Sequence, residues 1–360
     1  TFRLLMSSKC EWNCAYCPLR SGNDTPRAAL APEEVAQAFL PRYEKGIVQG
    51  LFLSTGVDGD SNAATARMLD SVEHLRANHA FEGYVHVKLL PGVARDQIER
   101  AARLADRLSL NLEAPSAAHL AAISPERDWN RDVIERLTWM RDWARAGALH
   151  RRPQRAGGKR GRGETLLPSG LATQFVVGAA GESDRELLHT TLWLYRELDV
   201  RRVYFGAFRP VVGTPLEGRE STPFVREQRL READWLVRHY EFQPAELPFD
   251  QAGDLPLHTD PKLAWALSHP ELFPVELNSA DEATLLRVPG LGPIGVRRIL
   301  RLRREQRFRD PGHLAVLGGA AARARDFVTF DGRFFGRDAV ARANHYRARA
   351  PLVEQLTLWP

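Results

Sequence analysis

All three cysteines of the 360-residue chain lie in one short segment, Cys10-Glu-Trp-Asn-Cys14-Ala-Tyr-Cys17. Cysteine thiolates are the usual ligands of iron–sulfur clusters, and three of them in one loop can bind three irons of a [4Fe–4S] cubane. The fourth iron would then be open to an exogenous chelator, such as the amino and carboxylate groups of a methionine. An odd number of closely spaced cysteines is a poor disulfide framework, which favours a reducing, cytoplasmic compartment.

Other uses of the three cysteines stay open at this point. A structural zinc site needs four ligands, and no histidine lies near the loop. A ferredoxin-type centre for electron transfer also needs four cysteines. The thiols could, finally, be free and clustered by chance. The number of ligands and their spacing favour the open cluster over these three alternatives.

The elements that must position this loop follow from an alternation of apolar runs and helical patterns. Strands are predicted over 2–8, 51–55, 84–90, 107–113, 173–178 and 202–208, and helices over 31–45, 62–79, 94–104, 130–146 and 183–198. Six alternations predict an α/β fold with a parallel sheet, wholly or partly closed into a barrel. Active sites in such folds lie at the carboxyl ends of the strands, and the cysteine loop follows the first strand.

The spacing CxxxCxΦC, with Tyr16 as the aromatic residue, resembles that of the radical S-adenosylmethionine (SAM) superfamily. The resemblance covers about residues 2–217 and implies a partial (βα)6 barrel. It also implies reductive cleavage of SAM to methionine and a 5′-deoxyadenosyl radical, which abstracts a hydrogen atom from a substrate. The implied cofactors are SAM and a [4Fe–4S] cluster on Cys10, Cys14 and Cys17. The implied partner is an electron donor such as flavodoxin or ferredoxin.

The same resemblance assigns further residues to SAM binding, because they follow successive strands in the expected order. A segment after the second strand departs from the Gly-Gly-Glu-like motif of the superfamily and matches it in position only. A polar pair on the fourth strand resembles a ribose-binding pair, and a glycine-containing segment after the fifth resembles one that packs beside adenine. An ordinary turn or a solvated strand edge would explain each of them as well. The predicted cofactor-binding residues are Tyr16, Ser54, Thr55, Gly56, Asn111, Glu113, Val177 and Gly178.

The catalytic residues are not identified by the sequence. No fourth cysteine is present, which disfavours an auxiliary cluster or a cysteine hydrogen donor. Tyr84 and Tyr204 are candidate hydrogen donors, and Lys88 on the third strand could face the lumen and touch substrate. A lysine on a strand more often faces solvent.

A second motif lies in the C-terminal part, where residues 289–293 read Pro-Gly-Leu-Gly-Pro between two predicted helices. A helix that starts there presents free N–H groups, which bind phosphate. The segment resembles a helix-hairpin-helix module of the DNA-uptake competence type over about residues 275–330, with a degenerate second hairpin at 308–319. Such modules bind the nucleic-acid backbone without reading bases. The implied DNA or RNA contacts are Gly290, Gly292, Arg297 and Arg298, although a hairpin can also dock on protein.

Barrel and hairpins together resemble the radical SAM proteins assigned to DNA modification or repair. Segments that support this resemblance are Cys14-Ala-Tyr-Cys17, Asn23-Asp24-x-Pro26-Arg27, 51–54 and 84–88. We expect a barrel over 1–220, a helical connector over 221–274, a small all-α module of tandem hairpins over 275–330 and a tail over 331–360. Because the chain begins at Thr1, we also expect that some N-terminal residues precede it.

Composition bears on the partners. The formal net charge is +5, and a glycine-rich stretch at 151–163 carries six basic residues, which favours polyanionic partners or reflects a GC-rich genome. Neither a long apolar segment nor a signal peptide is found, so no membrane partner is expected. A radical SAM enzyme acting on nucleic acid is the leading interpretation. The alternatives are an enzyme acting on a small metabolite or peptide, and a non-catalytic iron–sulfur protein that binds nucleic acid.

Overall fold

The computed structural model describes residues 1–149 and 166–348, so the predicted basic loop at 151–163 lies outside the described residues. The chain forms two compact units. The first comprises Thr1–Glu182 and Thr190–Thr222, and the second comprises Ser183–His189 and the residues from Pro223 onward.

The first unit contains a sheet of six parallel strands in the order β1-β2-β3-β4-β5-β6, which confirms the predicted parallel α/β fold. The strands are β1 (Phe2–Leu5), β2 (Gly50–Ser54), β3 (Tyr84–Lys88), β4 (Arg107–Ser109), β5 (Gly170–Val177) and β6 (Val200–Ala207). The predicted fourth strand is shortened, because the chain leaves regular extended geometry before Glu113, whose φ is +68°.

Helices connect the successive strands and cover one face of the sheet. They are α1 (Pro32–Glu44), α2 (Ser61–His79), α3 (Arg95–Leu104), α4 (Ala117–Ile123), α5 (Glu135–Leu149) and α6 (Asp184–Glu197), with a π-helical turn at Trp129–Ile134 before α5. Capping side chains set where two of them start: Asp60 accepts hydrogen bonds from the first N–H groups of α2, and Ser116 accepts one in α4.

Alternate residues of the strands divide into an apolar and a polar face. Leu51, Leu53, Val85 and Val87 are fully buried. Because successive side chains of a strand point to opposite faces, the intervening residues point to the other side. There, side chains from all six strands line a cavity of about 210 Å³. A sheet whose six strands share one cavity must curl around it, which is the arrangement of a partial barrel; the cavity is its lumen.

The second unit contains α7 (Phe224–His239), α8 (Pro261–Ser268), α9 (Glu282–Arg287), α10 (Pro293–Leu302) and α11 (Ala339–Ala348). It is not purely helical as the sequence suggested, because β7 (Val275–Glu276), β8 (Val328–Phe330) and β9 (Arg333–Phe334) form a small sheet. Glu276 ties this sheet together, since its carboxylate accepts hydrogen bonds from the Thr329 hydroxyl and the Gly332 N–H at 2.8 and 2.9 Å.

The two hairpins of the predicted module differ in structure. The first is the α9–α10 pair. In place of a second helical pair there are two 3₁₀ segments, Pro311–Leu317 and Gly319–Asp326, separated by Gly318 with φ +97°. Proline and glycine are the weakest helix formers, which accounts for the poorer helices. Within the described residues, no helix has both the length and the apolar character that crossing a membrane requires.

Candidate active site

The loop that carries the cysteines begins after β1 and is closed by one guanidinium. Arg27 donates hydrogen bonds to four carbonyl groups spread along the loop, those of Ser8 (2.7 Å), Leu19 (2.8 Å), Arg20 (2.7 Å) and Asn23 (3.0 Å). Five donors in a rigid fork allow arginine to satisfy several acceptors at once. Arg27 therefore holds both ends of the cysteine loop together.

The end of β2 packs closely against this loop at Gly56. The Gly56 N–H donates to the Ser7 carbonyl at 2.8 Å, and the Glu11 N–H donates to the Val57 carbonyl at 2.8 Å. A Cβ atom at Gly56 would lie 2.2 Å from the Lys9 carbonyl oxygen and 3.3 Å from the Cys10 Cβ. Only glycine allows this approach. The neighbouring predicted residues Ser54 and Thr55 are buried at the same strand end.

The three cysteines are free thiols, with Cys14 buried and Cys10 and Cys17 partly exposed. The Cys14 sulfur lies 3.2 Å from the Ser124 hydroxyl oxygen. Burial raises the pKa of the Cys17 thiol, and the charges of Cys14 and Cys10 raise it further, so these two cysteines lie within electrostatic reach of Cys17. Among the described residues, no three His, Cys, Asp or Glu side chains converge on the position of a single metal ion.

A buried ion pair adjoins Cys14. Arg127 Nη2 donates to the Cys14 sulfur at 3.4 Å, and Nη1 lies 3.6 Å from Glu113 Oε1. The guanidinium also stacks over the Trp12 ring at 4.8 Å. The Arg127 and Glu113 side chains are only 10% and 8% exposed, and the Nε and Nη1 atoms of Arg127 donate no hydrogen bond to any described residue. No sequence motif singled out Arg127.

The predicted pair Asn111 and Glu113 follows β4 rather than lying on it. Asn111 Nδ2 donates to Glu113 Oε1 at 3.2 Å, and Glu113 reaches β5 through an isolated bridge to Phe175. Tyr16 is half-buried beside Glu113. Burial first, and then the Glu113 charge, raise the pKa of Tyr16 well above its ordinary value, so its hydroxyl stays protonated. Tyr16, Glu113 and Cys14 are therefore neighbours.

At the end of β5, Val177 is buried and Gly178 adopts a φ of +86°. The Gly178 N–H donates to Glu182, whose other carboxylate oxygen accepts from the Ala180 N–H at 3.1 Å. This turn lies at the same edge of the sheet as the cysteine loop, because both follow the carboxyl ends of parallel strands.

The lumen cavity contains two of the three predicted catalytic candidates, Lys88 and Tyr204, and Tyr84 is not among its lining residues. His86 is buried there, with Nε2 2.8 Å from the Ser109 hydroxyl oxygen. Burial and the charges of Arg107, Arg3 and Lys88 lower the pKa of His86 to about 3, so the imidazole is neutral. The complete lining is Arg3, Phe52, His86, Lys88, Ser109, Asn111, Thr173, Gln174, Tyr204 and Phe205.

The predicted nucleic-acid residues lie in the second unit. Gly290 adopts a φ of +89° in the turn, and Gly292 precedes the first residue of α10. Between them Leu291 is buried, and its carbonyl accepts a hydrogen bond of 2.5 Å from the buried Lys262 ammonium. Arg297 and Arg298 are exposed on α10. The turn is thus fixed in place and the two arginines are accessible.

No family model and no curated protein matches the chain. Thirty-two chains of solved structures match it. They include HydG, a maturase of the [FeFe]-hydrogenase, with 16% identity over 65% of this chain and 49% of that chain and a TM-score of 0.47. Methylornithine synthase PylB matches with 16% identity over 63% of this chain and 60% of that chain and a TM-score of 0.46. A radical SAM methyltransferase from Sphaerobacter thermophilus also matches, with 18% identity over 59% of this chain and 58% of that chain and a TM-score of 0.41. The match spans about half to three-fifths of the length of these structures.

Proposed function

We propose that the chain is a radical SAM enzyme, with Cys10, Cys14 and Cys17 as ligands of a [4Fe–4S] cluster. One observation carries the proposal: three free cysteines share a loop at the carboxyl edge of a curled parallel sheet. When bound, the cluster supplies one electron from a flavodoxin- or ferredoxin-type donor to SAM, which is cleaved to methionine and a 5′-deoxyadenosyl radical.

The residues around the loop fit these groups. In a cubane each cysteine binds a different iron, so three thiols need not converge on one point. The Nε donor of Arg127 is buried beside Cys14 and has no hydrogen-bond partner among the described residues. Buried charged donors are expensive unless they are paired, so this arrangement suits a site completed by a polar or anionic group. Gly56 lets the backbone of β2 approach the loop without a side chain between them.

The chain's own residues then have distinct tasks. Arg127 places a positive charge 3.4 Å from the Cys14 sulfur. Glu113 and Asn111 are the proposed hydrogen-bonding partners of the ribose hydroxyls. Tyr16 keeps its proton and serves as a donor. Ser54, Thr55, Val177 and Gly178 are proposed to contact the remainder of SAM from neighbouring strand ends.

The substrate we propose is a nucleotide within DNA or RNA, contacted through the Gly290–Gly292 turn and Arg297 and Arg298. Support comes from the net positive charge, the ordered glycine turn and the two exposed arginines. A base in a duplex would have to be flipped out before it could react in a lumen. A small metabolite is the second candidate, because the lumen cavity of about 210 Å³ suits a compact group.

The enzymatic part is tested by anaerobic reconstitution with iron and sulfide, followed by reduction with dithionite in the presence of SAM. We expect cluster absorbance, bound iron and 5′-deoxyadenosine, all of which are lost in Cys14→Ala and retained in Ser21→Ala, an exposed position of the same loop. Protein that binds zinc in place of iron, or that holds a cluster without cleaving SAM, would contradict the proposal. The second result would leave a non-catalytic iron–sulfur protein.

The nucleic-acid part needs its own test. Binding of single- and double-stranded DNA and of RNA is measured as a function of salt, and products are sought by nucleoside mass spectrometry. We expect the double variant Arg297→Gln/Arg298→Gln to bind nucleic acid more weakly. The slope of the logarithm of the binding constant against the logarithm of the salt concentration should fall in magnitude by roughly one for each phosphate that the variant no longer neutralises. Arg333→Gln, an exposed arginine of β9, is the control. Absence of binding at low salt would favour the small-metabolite alternative.

A further inference from the structure

We propose that the lumen of the first unit binds a phosphate group of the substrate between Arg3 and Lys88. The assignment of a substrate rests on the proposed function, but phosphate binding itself does not. The proposal follows from the charges that neighbouring strands bring to one cavity.

The register of the sheet places these charges together. Arg3 pairs with Phe52, Phe52 with His86, and His86 with Arg107, so the four residues form one row across β1 to β4. Lys88 lies two residues beyond His86 and therefore points to the same face. Arg3, His86 and Lys88 all line the cavity. Distant parts of the chain thus contribute cations to one space.

No acidic side chain of the described residues balances them. The cavity lining includes neither aspartate nor glutamate, and neither Arg3 nor Lys88 forms an ion pair within the part of the chain that the structure describes. Two carboxylates on the neighbouring strand and loop have other partners: Asp106 accepts from the Val85 N–H at 2.8 Å, and Glu113 pairs with Arg127. Cations that converge without a counter-charge create a positive potential, which an anion relieves.

Arg107 adds to this potential from the amino-terminal end of β4. Its guanidinium donates to the Ser169 carbonyl at 3.0 and 3.2 Å, and Nη1 donates to the Tyr204 hydroxyl at 3.4 Å. These partners are neutral, so the charge of Arg107 remains. The depressed pKa of His86 is a second sign of the same field, because burial and surrounding cations both favour a neutral imidazole.

The size and charge of the cavity favour phosphate over larger or less charged groups. Pockets that enclose a drug-sized ligand measure roughly 300–1,000 Å³, whereas this one measures about 210 Å³ and holds one compact group. Two unpaired cations match a dianion better than a single carboxylate. Ser109 and Asn111 add polar atoms to the lining. A phosphate held here lies between the exposed Arg3 and the partly buried Lys88 and would anchor one end of a nucleotide.

The test measures binding of inorganic phosphate, thymidine 5′-monophosphate and thymidine to the full-length, anaerobically reconstituted chain by calorimetry. Phosphate contacts in the second unit are removed by using the Arg297→Gln/Arg298→Gln background. We expect Lys88→Met and Arg3→Met each to weaken binding of both phosphate probes by roughly tenfold or more. Lys45→Met, an exposed lysine at the end of α1, should change it by less than about twofold, and thymidine should bind more weakly than its monophosphate.

A second measurement uses the unmodified chain and does not depend on how the variants fold. Acetylation by acetic anhydride is followed by mass spectrometry. Phosphate should slow the acetylation of Lys88 and leave the acetylation rate of Lys45 unchanged. Equal affinities in all variants, or equal acetylation of Lys88 with and without phosphate, would overturn the inference. Neither readout involves SAM cleavage. If 5′-deoxyadenosine forms but phosphate does not bind, the phosphate site is refuted and the proposed function is not. Phosphate binding without a cluster would refute the proposed function alone.

Discussion

The Arg127 guanidinium lies 3.4 Å from the Cys14 sulfur, although 113 residues separate them in the chain. The same side chain faces Glu113 at 3.6 Å, so one buried cation joins the cysteine loop to the segment that follows β4. Guanidinium and carboxylate therefore balance each other's charge beside the Cys14 sulfur.

Removal of this cation should destabilise the fold. Arg127→Met leaves the Glu113 carboxylate buried without its partner, and breaking a buried ion pair costs about 3–5 kcal/mol. We expect urea denaturation to show a loss of unfolding free energy in that range. The double variant Arg127→Met/Glu113→Gln should recover part of this free energy. The control is Arg103→Met, whose side chain is 60% exposed and whose pair with Glu99 should contribute less than about 1 kcal/mol. Equal effects of the two single variants would refute the role of burial.

The contact between β2 and the cysteine loop depends on the absence of a side chain at Gly56. The Cβ of Gly56→Ala would meet the Lys9 carbonyl, a backbone atom that can only move with the loop. We expect a lower Tm and a loss of more than about 2 kcal/mol in the free energy of unfolding. We also expect little bound iron after reconstitution. Gly218→Ala is the matched control, because no atom lies within 4 Å of its added Cβ. Normal iron content in Gly56→Ala would mean that the loop tolerates displacement.

Arg27 should control access to the cysteines. Arg27→Gln loses most of the four carbonyl contacts, and hydrogen bonds to charged groups contribute about 1.5–3 kcal/mol each without adding fully. We therefore expect buried Cys14 to react with a thiol reagent at least about tenfold faster, since local opening exposes it. Lys9→Gln, an exposed position of the same loop, should leave the labelling rate unchanged. Unchanged labelling in both variants would show that other contacts close the loop.

Lys262 should make the stability of the second unit depend on pH. Burial lowers the pKa of this lysine from 10.5 to about 7, so between these values the unfolded chain binds more protons than the folded one. Stability linked to Lys262 must then rise as the pH increases from about 7 to about 10. A shift of this size corresponds to a few kcal/mol at most.

The matched comparison is Lys262→Met, in which this part of the pH dependence should vanish. The difference in unfolding free energy between the variant and the unmodified chain should therefore favour the variant most at pH 7 and shrink toward pH 10. The variant also loses the bond to the Leu291 carbonyl and the contact with the Tyr240 ring at 4.5 Å, which lowers the difference throughout the pH range. A difference independent of pH would show that the ammonium is solvated.

Local sequence determined the parts of this protein that depend on residue type and periodicity. The three cysteines set the number of thiol groups that can act as ligands, and the alternation of Leu51, Leu53, Val85 and Val87 with other residues predicts which strand face is buried. The spacing of the two glycines in the 290–292 turn is by itself enough to indicate a hairpin. These features are readable because each depends on neighbours within a few positions.

Tertiary structure alone decided which distant residues meet. Strand register put Arg3, His86 and Arg107 in one row, and chain closure put Arg127 beside Cys14. Tertiary structure also decided where β4 ends, because Glu113 adopts a left-handed φ. It likewise formed β7, where the Glu276 carboxylate accepts hydrogen bonds from Thr329 and Gly332. A periodic pattern specifies the face of a strand, whereas register and loop closure depend on the packing of the whole unit.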